Sequence, residues 1–323
     1  MFERILPWSL QGIGPFLNTY GDVLFFRHIR RTPPIETNPR ASTSVHSIVA
    51  HRFVYAYLVA VKSLLYHFSD VTVFVHDDGS LNARDRELIR AHMPEAIIID
   101  RAEITRRFDH EICDPFLSQV RSSYTSYLKL FDPTFLRHGQ RIILLDTDTL
   151  FLRAPTAVIN WARNGGEPWY HLAPRGNMKA TSREKSATSQ QEPHIQTLIM
   201  NDLVVLNDDL GRDYRLEQGF CAGFVGYSVD LVDFKELREL LTCLYAKFGD
   251  RIFRWGAEQA IHGLLLCGKG AKALPIQDYF VYTQNNAENV ANATFVHFVG
   301  ENRFFRFRYP RLAARLMRNL AGS

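Results

Sequence analysis

The first half of the chain alternates short apolar runs with longer stretches whose apolar residues recur at helical spacing. Ser47 to Ala50 predicts a short first strand, and Arg52 to His67 a helix with Phe53, Tyr57, Ala60, Val61, Leu64 and Leu65 on one side. Val71 to Val75 predicts a second strand, running into the polar turn His76-Asp77-Asp78-Gly79-Ser80. Asn82 to His92 reads as a charged amphipathic helix ended by Pro94, and Ala96 to Ile99 as a third strand. Ser122 to Phe131 reads as helix and Arg141 to Leu145 as the next strand. This alternation predicts an α/β fold: a mostly parallel, Rossmann-like central sheet flanked by helices on both faces. Such sheets bind ligands beyond the carboxyl ends of their strands, where Asp77, Asp78, Asp146 and Asp148 fall.

The second half follows a different rhythm. Arg175 to Pro193 is polar and rich in Ser, Lys and Gln, which predicts a loop. Leu203 to Leu206 reads as a strand. Gly219 to Tyr227 alternates small and aromatic residues, as a buried strand does when a backbone or ligand comes close. Leu231 to Phe248 and Ala257 to Leu266 read as helices, and Thr294 to Val299 as a last strand. Residues 1–44, with Pro33, Pro34, Pro39 and a Ser/Thr cluster, read as an N-terminal extension that packs in part and ends in a linker.

Composition narrows the class. The 323 residues are 46% hydrophobic and 22% charged, enough to build a large core. A net charge of +4 is too small to imply a nucleic-acid partner. The four cysteines (Cys113, Cys221, Cys243, Cys267) show neither CxxC nor zinc spacing, which suits a reducing compartment better than a disulfide framework. No signal peptide is evident and no apolar run is long enough to cross a bilayer, so a cytoplasmic location is expected.

The chemistry starts at Asp146-Thr147-Asp148, directly after the apolar Arg141–Leu145 run. Two carboxylates at the end of a buried strand are costly to desolvate unless something neutralises them. A divalent cation does so and leaves positions for substrate oxygens. Further candidates follow in order: Lys129 in SYLKLFDPTFL, Phe220-Cys221-Ala222-Gly223, Glu258-Gln259, and His297 with Gly300 and Arg303.

Together these segments resemble GT-A fold nucleotide-sugar glycosyltransferases, most closely the family 8 type, over residues 45–305. The resemblance implies a GT-A domain at 45–302 that moves a hexose from a UDP-sugar to a glycan or lipid-linked hydroxyl, with retention of configuration. It implies Mn2+ (or Mg2+) on Asp146, Asp148 and His297. Lys129 and Arg303 would bring positive charge to the leaving diphosphate, and Thr147, Ala222, Gly223 and Gly300 would contact the donor. Gln259 and Glu258 would stand near the anomeric carbon as catalytic residues. Asp77-Asp78-Gly79-Ser80 also resembles the segment with which inverting family 2 enzymes contact the nucleotide, so either aspartate is a candidate there. Three positions depart from the family pattern: Cys221 replaces asparagine, Glu258 aspartate and Arg303 lysine.

Residues 303–323 form a separate basic amphipathic segment. Arg311, Arg315 and Arg318 fall on one helical face, Leu312, Leu316 and Leu320 on the other. It is expected either to lie loosely on an anionic membrane surface or to dock on the core by its leucines. Two other functions compete. A haloacid dehalogenase-type phosphatase would use the DTDT letters, but its DxDxT motif needs Thr where Leu150 stands. A non-catalytic sugar-nucleotide or glycan-binding module could share the fold.

Overall fold

The structure, a computed structural model, describes residues 13–173 and 193–322. Among them ten strands form one sheet: β1 (Thr43–Val49), β2 (Thr72–Asp77), β3 (Ile97–Ile99), β4 (Arg141–Leu145), β5 (Thr149–Phe151), β6 (Trp169–Leu172), β7 (Phe220–Ser228), β8 (Lys272–Ala273), β9 (Tyr279–Val281) and β10 (Phe295–His297). Their order is β3-β2-β1-β4-β7-β6-β9-β10-β5, with β8 paired to β6. The block β3-β2-β1-β4 is parallel, as its helical crossovers require. β7 then pairs antiparallel with both β4 and β6, and β5 antiparallel with β10.

Side-chain alternation explains why helices cover both faces. In β4, Ile143 and Leu145 join one apolar cluster while Ile142 and Leu144 join the other. The first cluster takes the helix Val54–Leu65, whose residues are nearly all buried. The second takes the helices Phe234–Phe248 and Ala257–Gly268.

Several expected elements move. β1 begins at Thr43, inside the stretch expected to be a linker, because its β-branched and small residues pair with β2 and β4. The expected helix from Ser122 to Phe131 is two helices, Pro115–Ser123 and Leu128–Leu136, separated by a tight turn. Leu203 to Leu206 is not a strand; it opens the helix Leu203–Leu210. Only Leu206 of that helix is buried, so a short apolar run could not reveal its period. Apart from Pro193, the polar segment 175–193 lies outside the described residues.

The first and last described helices pack into the first cluster rather than beside it. Leu17 and Phe26 of the helix Ile13–Phe26 meet Tyr309, Leu316, Met317 and Leu320 of the helix Arg308–Gly322 there. Of the two expectations for 303–323, the structure shows leucines docked on the core and Arg311, Arg315 and Arg318 exposed. No helix among the described residues is long and apolar enough to cross a membrane.

Candidate active site

β4 delivers Asp146, and the backbone clamps the turn that follows. Asp146 N–H donates to Gly223 O at 2.8 Å, Thr149 Oγ1 donates to Asp146 O at 2.8 Å, and Phe298 N–H donates to Asp148 O at 2.8 Å. β5 then runs back along β10 with Thr149 opposite His297. The side chains converge as a result: His297 Nε2 lies 3.0 Å from Asp148 Oδ1 and 3.6 Å from Asp146 Oδ2. Thr147 sits half-buried between the aspartates.

Charge around this centre is tightly coupled. Burial opposes an imidazolium most strongly, yet the charges and hydrogen bonds of Asp148 and Cys221 together outweigh it and lift His297 to about 10. Burial pushes Asp148 upward most strongly, but the charge and hydrogen bond of His297, joined by the charges of Arg303 and Lys129, together prevail and hold it at about 2. Lys129 Nζ reaches Asp146 Oδ1 at 2.5 Å from the first turn of the helix Leu128–Leu136. A lysine there opposes the helix dipole and is desolvated. Asp146 and Glu258 more than compensate, keeping its pKa above that of an ordinary lysine. Glu258 is buried at the start of the helix Ala257–Gly268, and desolvation raises its carboxyl against the pull of Lys129. A narrow gap lined by Lys129, Asp146, Leu145, His46, Ser47 and His76 lies between the helix Leu128–Leu136 and strands β1, β2 and β4.

The pairing of β7 with β6 is irregular at this point. Tyr170 faces Val225, but the next residue, His171, faces Cys221. The extra β7 residues are released from the ladder, as bulges often do beside functional sites. Gly223 lies in the released stretch. A Cβ there would stand 2.2 Å from His297 Cε1 and 2.9 Å from Asp146 Oδ2, so only glycine lets the strand pass under the triad. His171 donates from Nδ1 to Phe224 O at 3.1 Å, and its Nε2 lies 3.2 Å from His297 Nδ1. Cys221 Sγ lies 3.6 Å from the same nitrogen. Burial raises the Cys221 thiol, but His171 and His297 overcome this and bring it down to about 5. Sequence reasoning passed over His171, a histidine in an apolar strand segment with no motif around it.

The remaining candidates distribute unevenly. Gln259 accepts from Ala222 N–H at 3.4 Å and donates to Gln196 Oε1 at 3.3 Å, so it is tied to β7 beside Gly223. Gly300 has a φ of +59°, with open space where a side chain would project. Arg303 pairs with Asp22 at 2.8 Å and lies over the rings of Phe53, Phe304 and Tyr309. Its charge still helps hold Asp148 ionised. Asp22, on the helix Ile13–Phe26, had no sequence signal. Asp77 serves the turn after β2: Oδ1 accepts from Gly79 N–H at 2.7 Å and Leu81 N–H at 3.1 Å, and Oδ2 from Arg86. Asp78 Oδ1 accepts from Ser80 N–H at 3.0 Å and Ser80 Oγ at 2.5 Å.

The Asp146, Asp148 and His297 ligand atoms all lie within 4.8 Å of one another. Two carboxylate oxygens and one imidazole suit a hard or borderline divalent cation such as Mn2+ or Mg2+. Gly223 keeps the space around them clear, so these residues fit the cation implied by the family resemblance.

No family model matches the chain, and no curated protein matches it by sequence. Solved structures do match. The bifunctional glycosyltransferase WbbM aligns with a TM-score of 0.52 at 13% identity, over 86% of this chain and 50% of WbbM. The glycosyltransferase GlyE of Streptococcus pneumoniae TIGR4 aligns with a TM-score of 0.50 at 13% identity, over 85% of this chain and 60% of GlyE. The chain has the GT-A glycosyltransferase fold. It spans about half the length of the first of these proteins and 60% of the second. In this GT-A fold the three candidate cation ligands come from the β4–β5 turn and the end of β10, with the β7 bulge beneath them.

Proposed function

We propose that the protein is a cation-dependent glycosyltransferase that moves a hexose from a UDP-sugar to a glycan or glycolipid hydroxyl, with retention of configuration. One observation carries the proposal: Asp146, Asp148 and His297 converge at a strand end with Lys129 against Asp146. Asp146, Asp148 and His297 hold the cation, Mn2+ or Mg2+, which when bound supplies Lewis-acid stabilisation of the diphosphate that departs. Lys129 adds a fixed positive charge that needs no reorganisation as charge grows on the leaving oxygen. Thr147, Ala222, Gly223 and Gly300 border the donor, and Asp78 is the more available of the two β2-end aspartates for its nucleotide. Gln259 presents its amide beside the Gly223 bulge and steadies positive charge on the sugar ring. Glu258 supports Lys129 through its negative field. Arg303 acts on the site through its field at Asp148.

The test is UDP-sugar turnover with and without manganese, for the natural protein and for Asp148→Asn. Manganese-dependent release or transfer of sugar is expected, and its loss in the variant. Full turnover in Asp148→Asn overturns the proposal. Phosphate release from a simple phosphate ester, with no sugar-nucleotide turnover, would favour the phosphatase instead.

A further inference from the structure

Behind the aspartate pair lies a second set of ligand atoms with different chemistry. His171, Cys221 and His297 are all buried, and one ligand atom from each lies within 4.8 Å of the others. Tetrahedral zinc binds nitrogen at about 2.05 Å and sulfur at about 2.3 Å, which sets N···N edges at about 3.3 Å and N···S edges at about 3.6 Å. The edges here are 3.2 Å from His171 Nε2 to His297 Nδ1 and 3.6 Å from Cys221 Sγ to His297 Nδ1. His171 is oriented as a ligating histidine usually is: Nδ1–H donates to the Phe224 carbonyl, which leaves Nε2 facing the site.

We propose that His171 Nε2, Cys221 Sγ and His297 Nδ1 form a binding site for a thiophilic divalent cation, zinc, directly behind the hard-cation site. Thiolate and imidazole favour zinc, whereas the two carboxylates on the other side of the His297 ring favour manganese or magnesium. Zinc binding takes Cys221 as the thiolate and exchanges the His297 Nδ1 proton for a metal bond, that proton passing to solvent; a hard cation on Nε2 of the same ring displaces its second proton to solvent as well, leaving His297 a bridging imidazolate. Zinc there would also lock the His297 ring in the rotation that points Nε2 at the aspartates. The sulfur-bearing residue at 221 thereby gains a role, and so does His171, which the sugar-transfer chemistry leaves without one.

The experiment titrates the metal-free full chain with Co2+, a spectroscopic stand-in for zinc, and with Zn2+ by calorimetry. One thiolate-bound equivalent is expected, with a thiolate-to-cobalt charge-transfer band in the near ultraviolet. The band should vanish in Cys221→Ala and in His171→Asn, and persist in Asp146→Asn, which removes only a hard-cation ligand. That last variant separates the two readings: it loses manganese binding if the sugar-transfer proposal holds, whatever happens at the zinc site. Absence of the band in the natural chain, or its survival in Cys221→Ala through Cys113, Cys243 or Cys267, overturns the proposal. Should Cys221→Ala fail to fold, Cys221→Ser is measured in its place, and survival of the band there overturns the proposal.

Discussion

Two acidic pairs close neighbouring regions of one sheet, and their partners set them apart. Asp77 and Asp78 follow β2; Asp146 and Asp148 follow β4. Backbone N–H groups and Arg86 occupy the first pair, so its negative charge is consumed in holding a turn. In the second pair the carboxylates face His297 and Lys129, side chains brought in from other elements of the fold. A carboxylate satisfied by local N–H groups is architecture. One balanced by a mobile proton on histidine can exchange that proton for a metal ion.

The sharpest way to break this contrast is to delete one acid from each pair. Asp148→Ala should abolish manganese-dependent UDP-sugar turnover while leaving the far-ultraviolet circular dichroism unchanged; retained turnover would make the two pairs alike. Asp77→Ala should do the opposite. It strands two N–H groups and Arg86, and should cost about 3 kcal/mol in chemical denaturation while manganese affinity is retained. Gly223→Ala puts a methyl into the His297 and Asp146 side chains and should lower turnover about a hundredfold, since displacements near 1 Å have that effect. A wild-type rate in this variant would show that the bulge does not shape the site.

A milder probe is pH. In chelator, the raised His297 pKa gives stability that is full below the unfolded value of 6.5 and is lost as pH rises through about 10. The depressed Asp148 pKa gives stability present above 3.8 and lost as pH falls through about 2. The pair therefore stabilises most between these unfolded values, and Asp148→Asn should flatten the alkaline limb of unfolding free energy against pH. An unchanged limb would mean that His297 does not exchange charge with Asp148. The smallest effect is expected for Asp78→Ala, within about 1 kcal/mol of the natural stability, because its turn bonds are local and half-exposed; a large loss there would move it into the same class as Asp77.

Much of this was legible along the chain because strand and helix periods are local properties. Arg141–Leu145 has the bounds the sequence predicts, since four consecutive apolar residues follow Arg141 and precede a polar break. The helix Leu203–Leu210 was misread because its exposed Val204 and Val205 hide the burial period. His171, Asp22 and Gln196 carried no signal, as each matters only through a partner far away in sequence.

The sequence by itself determined the parallel α/β start, the aspartates at a strand end and the candidate histidine and lysine. These follow from patterns within a few residues and from the cost of burying charge. Only the tertiary structure decided which acidic pair is balanced by histidine, where Arg303 finds its partner, and that the β7 bulge brings His171 and Cys221 behind His297. The reason is physical: a carboxylate's state depends on the charges and donors within a few ångströms of it, and folding draws those from every part of the chain.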